Sequence, residues 1–381
     1  MKINNKLAIT LLVLIFLTLG IFLLYNEQEQ QLRPNSKEVV IGAVLPMTGD
    51  AGTFGQNAAR GIELAILEAN KSNLTDGHSI IKLAIEDSRG NAADALSAAN
   101  KLIDVDHARF IVGDVTSAGT HAIIPVITRK KIPTISPSAS DPALSGASLF
   151  FARVWPSDVY EAHVIATHAI EKNYSKIAII YANTDYGVGM MKAFHSNIPE
   201  SISTVDIPVD RGLVDFRPTL KRIQRNNVNA LFVVSYPEDA KRLLGQIEEM
   251  RIELPILATA TFEDPMVASS PGAEKIVFAS PVPPDDKNKT RATFINEYRE
   301  NFETEPGVLS DTGYDAAMLL IRAMAASGDQ TPEKIIQFIR DLNNYQGASG
   351  IMSFDKNGDV QKTYGLKTVS GGSFVWLEKN N

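Results

Sequence analysis

From Glu38 onward, short runs of β-branched and other apolar residues alternate with stretches whose apolar positions recur every three or four residues. The runs Val39–Leu45, Ile80–Ile85, Phe110–Gly113, Ile132–Ser136, Ile177–Tyr181, Thr204–Pro208, Ala230–Ser235, Pro255–Thr259 and Ile276–Ala279 predict strands. They are nearly all apolar rather than alternating, as befits strands covered on both faces by helices. Helical stripes lie between them: Ala92, Leu96, Ala99 and Ile103; then Ala240, Leu243, Leu244, Ile247 and Met250; then Tyr314, Ala317, Met318 and Ile321. Thr331-Pro332 supplies an N-cap and a first-turn proline for a helix through Ile335, Ile339 and Leu342.

The alternation breaks twice. At Phe150–Asp158 a strand-like run leads through Pro156 into a new helix, and at Ser280–Asp286 three prolines interrupt before long helices run on to Asn343. The tail Gly350–Leu377 is rich in strand formers, with hairpin turns at Asp355-Lys356-Asn357-Gly358 and Ser370-Gly371-Gly372-Ser373. Two α/β units, late helices and a closing hairpin fit two lobes between which the chain crosses more than once.

Ahead of all this, Lys2 and Lys6 precede Leu7–Tyr25, an uncharged apolar run that as a helix would cover roughly 28 Å, close to the hydrocarbon thickness of a bilayer. It passes directly into Asn26-Glu27-Gln28 without a small-residue cleavage site, which reads as an uncleaved signal anchor (residues 1–25) rather than a removed signal. The flanking lysines predict a cytoplasmic N-terminus, with the remainder outside. Residues 26–37, polar and nonperiodic, read as a tether.

Composition narrows the chemistry. With 37 basic and 44 acidic residues the chain carries −7, without a basic stripe to neutralise phosphates, so a nucleic-acid partner is not expected. The absence of cysteine removes disulfides, thiolate nucleophiles, thiolate metal sites and the lipid-attachment residue of an exported lipoprotein. The six histidines are scattered, and His163 and His168 stand five apart, off the three- or four-residue spacing of ligands on one helix face. No metal or cofactor is expected. Tyr186-Gly187-Val188-Gly189 lacks the third glycine of a dinucleotide loop, no P-loop or G-x-S-x-G elbow occurs, and Asp355–Asp359 reads as a turn rather than a calcium loop. No nucleophile–base pair can be nominated for a hydrolase or dehydrogenase.

Three loops at predicted strand ends differ, and strand C-termini are where open α/β sheets bind small ligands. They are Pro46–Gly55, which carries Phe54; Gly113–Thr120; and Ser136–Pro142. Ser117 and Ser140 are each expected to open a helix, offering N–H groups beside a hydroxyl to hold an anion without a basic side chain. Taken singly, each serine is better explained as a plain helix cap.

The segments IGAVLPMTGDAGTFGQNAARGIELAILEAN, IVGDVTSAGTHAIIPVITRKKIPTISPSASDPAL and IAIIYANTDYGVGMMKAF resemble type I periplasmic solute-binding proteins of the leucine/isoleucine/valine-binding kind, receptors of ATP-driven amino-acid importers. The resemblance, from about Val39 to Leu377, implies an α/β fold of two doubly wound parallel-sheet lobes joined by three hinge crossovers, near Pro156, Pro284 and Gly347. Residues 38–156 with 285–347 would form one lobe, and 157–284 with 348–381 the other. It implies a non-enzymatic, monomeric receptor, partnered by a membrane permease of the ABC type. Ser117 and Ser140 would meet the ligand carboxylate, Ser138 would offer backbone groups, and Thr116 would line the side-chain pocket. Phe54 stands where family members often have tyrosine, and Tyr186 and Tyr236 would close over the ligand from the second lobe. The glutamate that in leucine-binding members pairs with the ligand ammonium falls here on Ala260, leaving Glu263 or Asp158 as substitutes. A branched-chain or other small amino acid is the first expectation; a carboxylate without an amine, or an amide, is the alternative. So is a tethered sensor that presents the same closed clamp to a signalling partner.

Overall fold

The computed structural model describes residues 37–75, 79–282, 288–326 and 331–377. The expected anchor Leu7–Tyr25, residues 26–36 of its tether and the proline at 284 lie outside the described residues, while Lys37, the last residue assigned to the tether, begins a strand. Among the described residues, no helix is long and apolar enough to cross a membrane.

The first lobe opens with β1 (Lys37–Leu45), α1 (Gly52–Lys71), β2 (Ser79–Asp87), α2 (Ala92–Asp104), β3 (Phe110–Gly113), α3 (Ser117–Lys130), β4 (Thr134–Ser136) and β5 (Phe151–Arg153). The second lobe follows with α4 (Asp158–Glu171), β6 (Lys176–Ala182), α5 (Asp185–His195), β7 (Ser203–Val209), α6 (Arg217–Arg225), β8 (Ala230–Val234), α7 (Pro237–Glu249), β9 (Ile256–Ala258), α8 (Pro265–Ala268) and β10 (Val277–Pro281). The chain returns to the first lobe for α9 (Lys289–Phe302), α10 (Ser310–Ala326), α11 (Pro332–Arg340), β11 (Tyr345–Gly347), β12 (Gly350–Phe354) and β13 (Val360–Gln361). It finishes in the second as β14 (Tyr364–Ser370) and β15 (Ser373–Trp376). All nine sequence-predicted strands are present, most of them shifted by a residue or two at their ends.

Both large sheets are wound alike. The first runs β2-β1-β3-β4-β5, all parallel. The second runs β7-β6-β8-β9-β10 in parallel, the same order, extended by the antiparallel hairpin β14-β15. Each sheet is buried on two faces. In β1, Ile41 and Leu45 pack under α1 and α10, whereas Val44 packs toward α2 and α3. In β6, Ile177 and Ile179 face α4 and α5, while Ala178 and Ile180 face α6 and α7. The helices α1 and α10 lie so close that a Cβ on Gly61 would fall 1.9 Å from the Ser310 carbonyl oxygen, an approach only glycine allows.

Four expectations need correction. In α2 the buried stripe is Ala95, Ala98, Ala99, Leu102 and Ile103; Ala92 and Leu96 are exposed, because the helix is rotated relative to the assumed stripe. The strand β2 is only partly buried, since it forms the sheet edge. Ser140 opens no α-helix: it precedes a single 3-10 turn, Pro142–Leu144, capped by Asp141, whose Oδ1 accepts from Ala143 N at 3.1 Å.

The fourth concerns the third crossover. Residues 348–361, assigned by sequence to the second lobe, belong to the first: Met352 and Val360 are fully buried in its core, and Asp315 of α10 accepts from Ala348 N and Ser349 N, each at 2.8 Å. The crossing falls between Gln361 and Tyr364 rather than near Gly347. There it runs beside the second crossing, with Val282 N donating to the Thr363 carbonyl at 2.8 Å.

Candidate functional site

In each sheet the strand order reverses between the first and third strands of the lobe, so the loops leaving β1 and β3, and those leaving β6 and β8, diverge and open a crevice at the strand C-termini. The two crevices face one another. Between them lies a cavity with about 530 Å3 of atom-free space, part of it open to solvent. Phe54, Thr116, Ser117, Ser138 and Ser140 line it from the first lobe, and Tyr186 and Tyr236 from the second. Seven of the eight site residues proposed from sequence are thus brought together.

The first-lobe wall is a tightly bonded turn. Thr116 is the N-cap of α3: its Oγ1 accepts from Gly119 N at 3.1 Å, while its own N–H donates to Asp114 Oδ1 at 2.7 Å. Ser117 is therefore the first residue inside the helix rather than its cap. Its N–H and that of Ala118 take no acceptor among the described residues, leaving two first-turn donors at the positive end of the helix dipole. The Ser117 hydroxyl accepts from Asp141 N at 3.2 Å, tying the third loop to the second. Within that loop the Ser136 hydroxyl donates to Asp114 O (2.7 Å) and accepts from Ser138 N (3.2 Å) and Ala139 N (2.8 Å). Asp114 is fully buried; desolvation pushes its carboxyl up to about 6, against hydrogen bonds from Ser88 and Thr116.

The second-lobe wall is aromatic and acidic. The rings of Tyr186 and Tyr236 meet at 5.8 Å between centroids, tilted by 56°. The Tyr186 hydroxyl donates to Thr259 Oγ1 at 2.7 Å, and Thr261 Oγ1 donates to the Ser235 carbonyl at 2.7 Å. Burial, then the neighbouring Glu161 and Asp158, raises the Tyr186 phenol well above its ordinary value. Trp155, Ala260, Val115, Val308 and Leu309 complete an apolar portion of the lining.

Glu263 does not reach the cavity. Its carboxylate accepts from Ser280 Oγ at 2.7 Å and pairs with Lys367 of β14. The 3-10 turn Ala260–Phe262 buries Phe262 in the core beyond, and carries the following glutamate toward β10 and β14. The acid that lines the cavity is Glu161, on the first turns of α4, and it was missed by sequence reading. It is 2% exposed, and its Oε1 accepts from Ala260 N at 2.6 Å. One turn earlier, Asp158 is fully buried, and neither of its oxygens makes a hydrogen bond of ordinary geometry. Desolvation lifts Asp158 to about 7, offset by the Ser140 hydroxyl and Arg153. Glu161 is raised well above the carboxylate range by desolvation and by Asp158. The usable sequence signal was two acids three residues apart at the start of a helix directly after a crossover.

A model of the family described as periplasmic binding protein matches residues 38–373. A Leu/Ile/Val-binding protein homolog 1 of Brucella abortus is 24% identical over 328 residues, 84% of this chain and 87% of that protein. Among solved structures, a leucine binding protein LivK of Thermotoga maritima superposes with a TM-score of 0.83 at 27% identity, covering 89% of this chain and 98% of that one. The branched-chain amino acid transporter substrate binding protein LivJ of Streptococcus pneumoniae, in complex with isoleucine, gives 0.80 at 24%, with the same coverages.

Proposed function

The chain belongs to the periplasmic binding protein family, and from that membership we propose that it is the extracytoplasmic solute receptor of an ATP-driven importer, taking a small carboxylate-bearing ligand, foremost an amino acid, between its lobes. Proteins of this family are ligand receptors rather than enzymes. The relatives and solved structures named for leucine, isoleucine and valine support the amino-acid class.

One observation carries the reading. The unpaired N–H groups of Ser117 and Ala118 stand at a helix N-terminus beside the buried hydroxyls of Ser117 and Ser140, in a cavity that, among the described residues, no Lys, Arg or His lines. A carboxylate bound there is stabilised by main-chain donors and the helix dipole. Tyr186, Tyr236 and Phe54 cover it from the cleft, and Val115, Val308 and Leu309 offer an apolar wall to its side chain. Because these groups come from both lobes, a ligand touching all of them favours the closed arrangement, the form a permease reads. The apolar run Leu7–Tyr25 would hold the receptor at the membrane, where a permease partner resides.

The test is a thermal-shift screen of the full chain with amino acids, simple carboxylates and amides. A cognate ligand at a hundredfold excess over its Kd adds about 2.7 kcal/mol of stability. A panel in which no compound raises the melting temperature removes the receptor reading.

A further inference from the structure

Among the described residues lining the cavity, Glu161 is the only Asp, Glu, Lys, Arg or His. We infer that Glu161, backed by Asp158, binds the ammonium group of the ligand, so that the cleft selects a zwitterionic amino acid over the corresponding bare carboxylic acid. This rests on the carboxylate-receptor reading above and adds a residue and a substrate class to it.

Geometry is the first support. The family resemblance puts an ammonium partner at position 260, where this chain has alanine. Here a carboxylate reaches that place from a different element, with Glu161 Oε1 2.6 Å from Ala260 N. The second oxygen of Glu161 takes no donor among the described residues. Donors for a carboxylate thus line the first-lobe side of the cavity, and an acceptor for an ammonium lines the second-lobe side. An α-amino acid carries those two groups on one carbon.

Electrostatics is the second. Two buried acids one helical turn apart ionise readily only beside a cation, and the described groups facing them do not supply a free one. Asp141 approaches from the third loop, Tyr186 from α5 and Tyr364 from β14, all neutral or negative. Arg153 of β5 is committed elsewhere: its Nε donates to Asp359 Oδ1 at 2.7 Å, and its Nη1 to the carbonyls of Asp141 (2.9 Å) and Ala139 (3.3 Å). The fully buried oxygens of Asp158, without a hydrogen bond of ordinary geometry, lie one turn behind Glu161 and raise the cost of ionising it unless a cation stands in front of it.

The sign of the pH dependence follows. An ammonium binds the ionised acid, so ligand uptake expels a proton and affinity falls as pH is lowered. A bare carboxylate needs Glu161 protonated, so its uptake gains a proton and its affinity rises as pH is lowered.

The experiment is calorimetric titration of the full chain at pH 6 and pH 8, in buffers of differing ionisation enthalpy. The probes are the proteinogenic amino acids, each paired with its des-amino acid (L-leucine with 4-methylpentanoate, for example). The expected result is binding of an amino acid with proton release, weaker at pH 6, and at least about a hundredfold preference over its des-amino partner at pH 8. In Glu161→Gln, which keeps the acceptor for Ala260 N, that preference falls below about tenfold while the ligand-free melting temperature is retained or raised. If des-amino acids bind as tightly as amino acids, or amino-acid affinity rises at low pH, the inference is overturned and the carboxylate receptor stands. Retention of the full preference by folded Glu161→Gln overturns the assignment to this residue. If nothing in the panel binds, the receptor reading and the inference fall together.

Discussion

Arg211 of the second lobe donates from Nη1 to the carbonyl oxygen of Gly90 in the first lobe, at 3.0 Å. Its guanidinium also lies 3.4 Å from Asp50 Oδ2 and 4.5 Å from the centre of the Tyr236 ring. One side chain therefore joins a first-lobe loop, a first-lobe acid and a cleft aromatic. The contacts to Gly90 and Asp50 are made only with the lobes together, so they add to the stability of the closed arrangement, while the Tyr236 ring ties the same guanidinium to the cavity lining.

For Arg211→Ala the expected outcome is faster ligand release, by up to about tenfold, with the association rate nearly unchanged. Stopped-flow fluorescence on the cleft aromatics reads both rates. An unaltered release rate would show that this clasp does not hold the lobes closed.

Ser117→Ala removes a hydroxyl from the proposed carboxylate site and an acceptor from Asp141 N, while leaving the N–H groups of α3 in place. Affinity for the ligand is expected to fall by about ten- to a hundredfold, the range for a hydrogen bond to a charged group. The fold should persist, since Thr116 still caps the helix. Equal affinity in titrations of the two proteins would take Ser117 out of the site.

The ligand-free protein should lose stability as pH rises. Asp114 and Asp315 sit at about 6 and Asp158 at about 7, all raised mainly by burial, and Glu161 is raised too. A carboxyl whose folded pKa lies above its unfolded value binds protons more strongly in the folded state. Its contribution is full below the ordinary value near 4 and is lost as pH climbs through 6 to 7. Melting temperatures measured from pH 5 to pH 8 should therefore decline. The decline should be shallower in Asp158→Asn, and shallower with bound amino acid, whose ammonium favours the ionised acids. A slope identical in wild type and Asp158→Asn would mean that Asp158 titrates normally.

Much of the architecture was written in local pattern. Strands buried on two faces, such as Phe110–Gly113 and Ala230–Val234, must be apolar throughout, and that requirement is visible without knowing any neighbour. The loops carrying Phe54, Thr116, Ser117, Ser138 and Ser140 could be picked out because ligand crevices form where such strands end, whereas Tyr186 and Tyr236 entered the site only through the resemblance. The resemblance to a known family added roles to those positions. Local pattern also misled where it was read too far. The hairpin at residues 350–361 has the same alternation whichever sheet it joins, so its lobe was misassigned. Ser140 has the residue type of a helix start, but Pro142 and Asp141 build only a single turn.

The sequence by itself determined the element types, the parallel α/β class and which strand-end loops carry hydroxyls and aromatics, because these depend on burial periodicity and on residues adjacent in the chain. The tertiary structure alone decided that both lobes share one strand order, that the third crossing lies beyond Gln361, and that Glu161 meets the N–H of Ala260, 99 residues away. The reason is physical. A buried carboxylate is defined by the groups packed around it, and those come from elements whose mutual placement is set by closing two separate cores, not by any spacing along the chain.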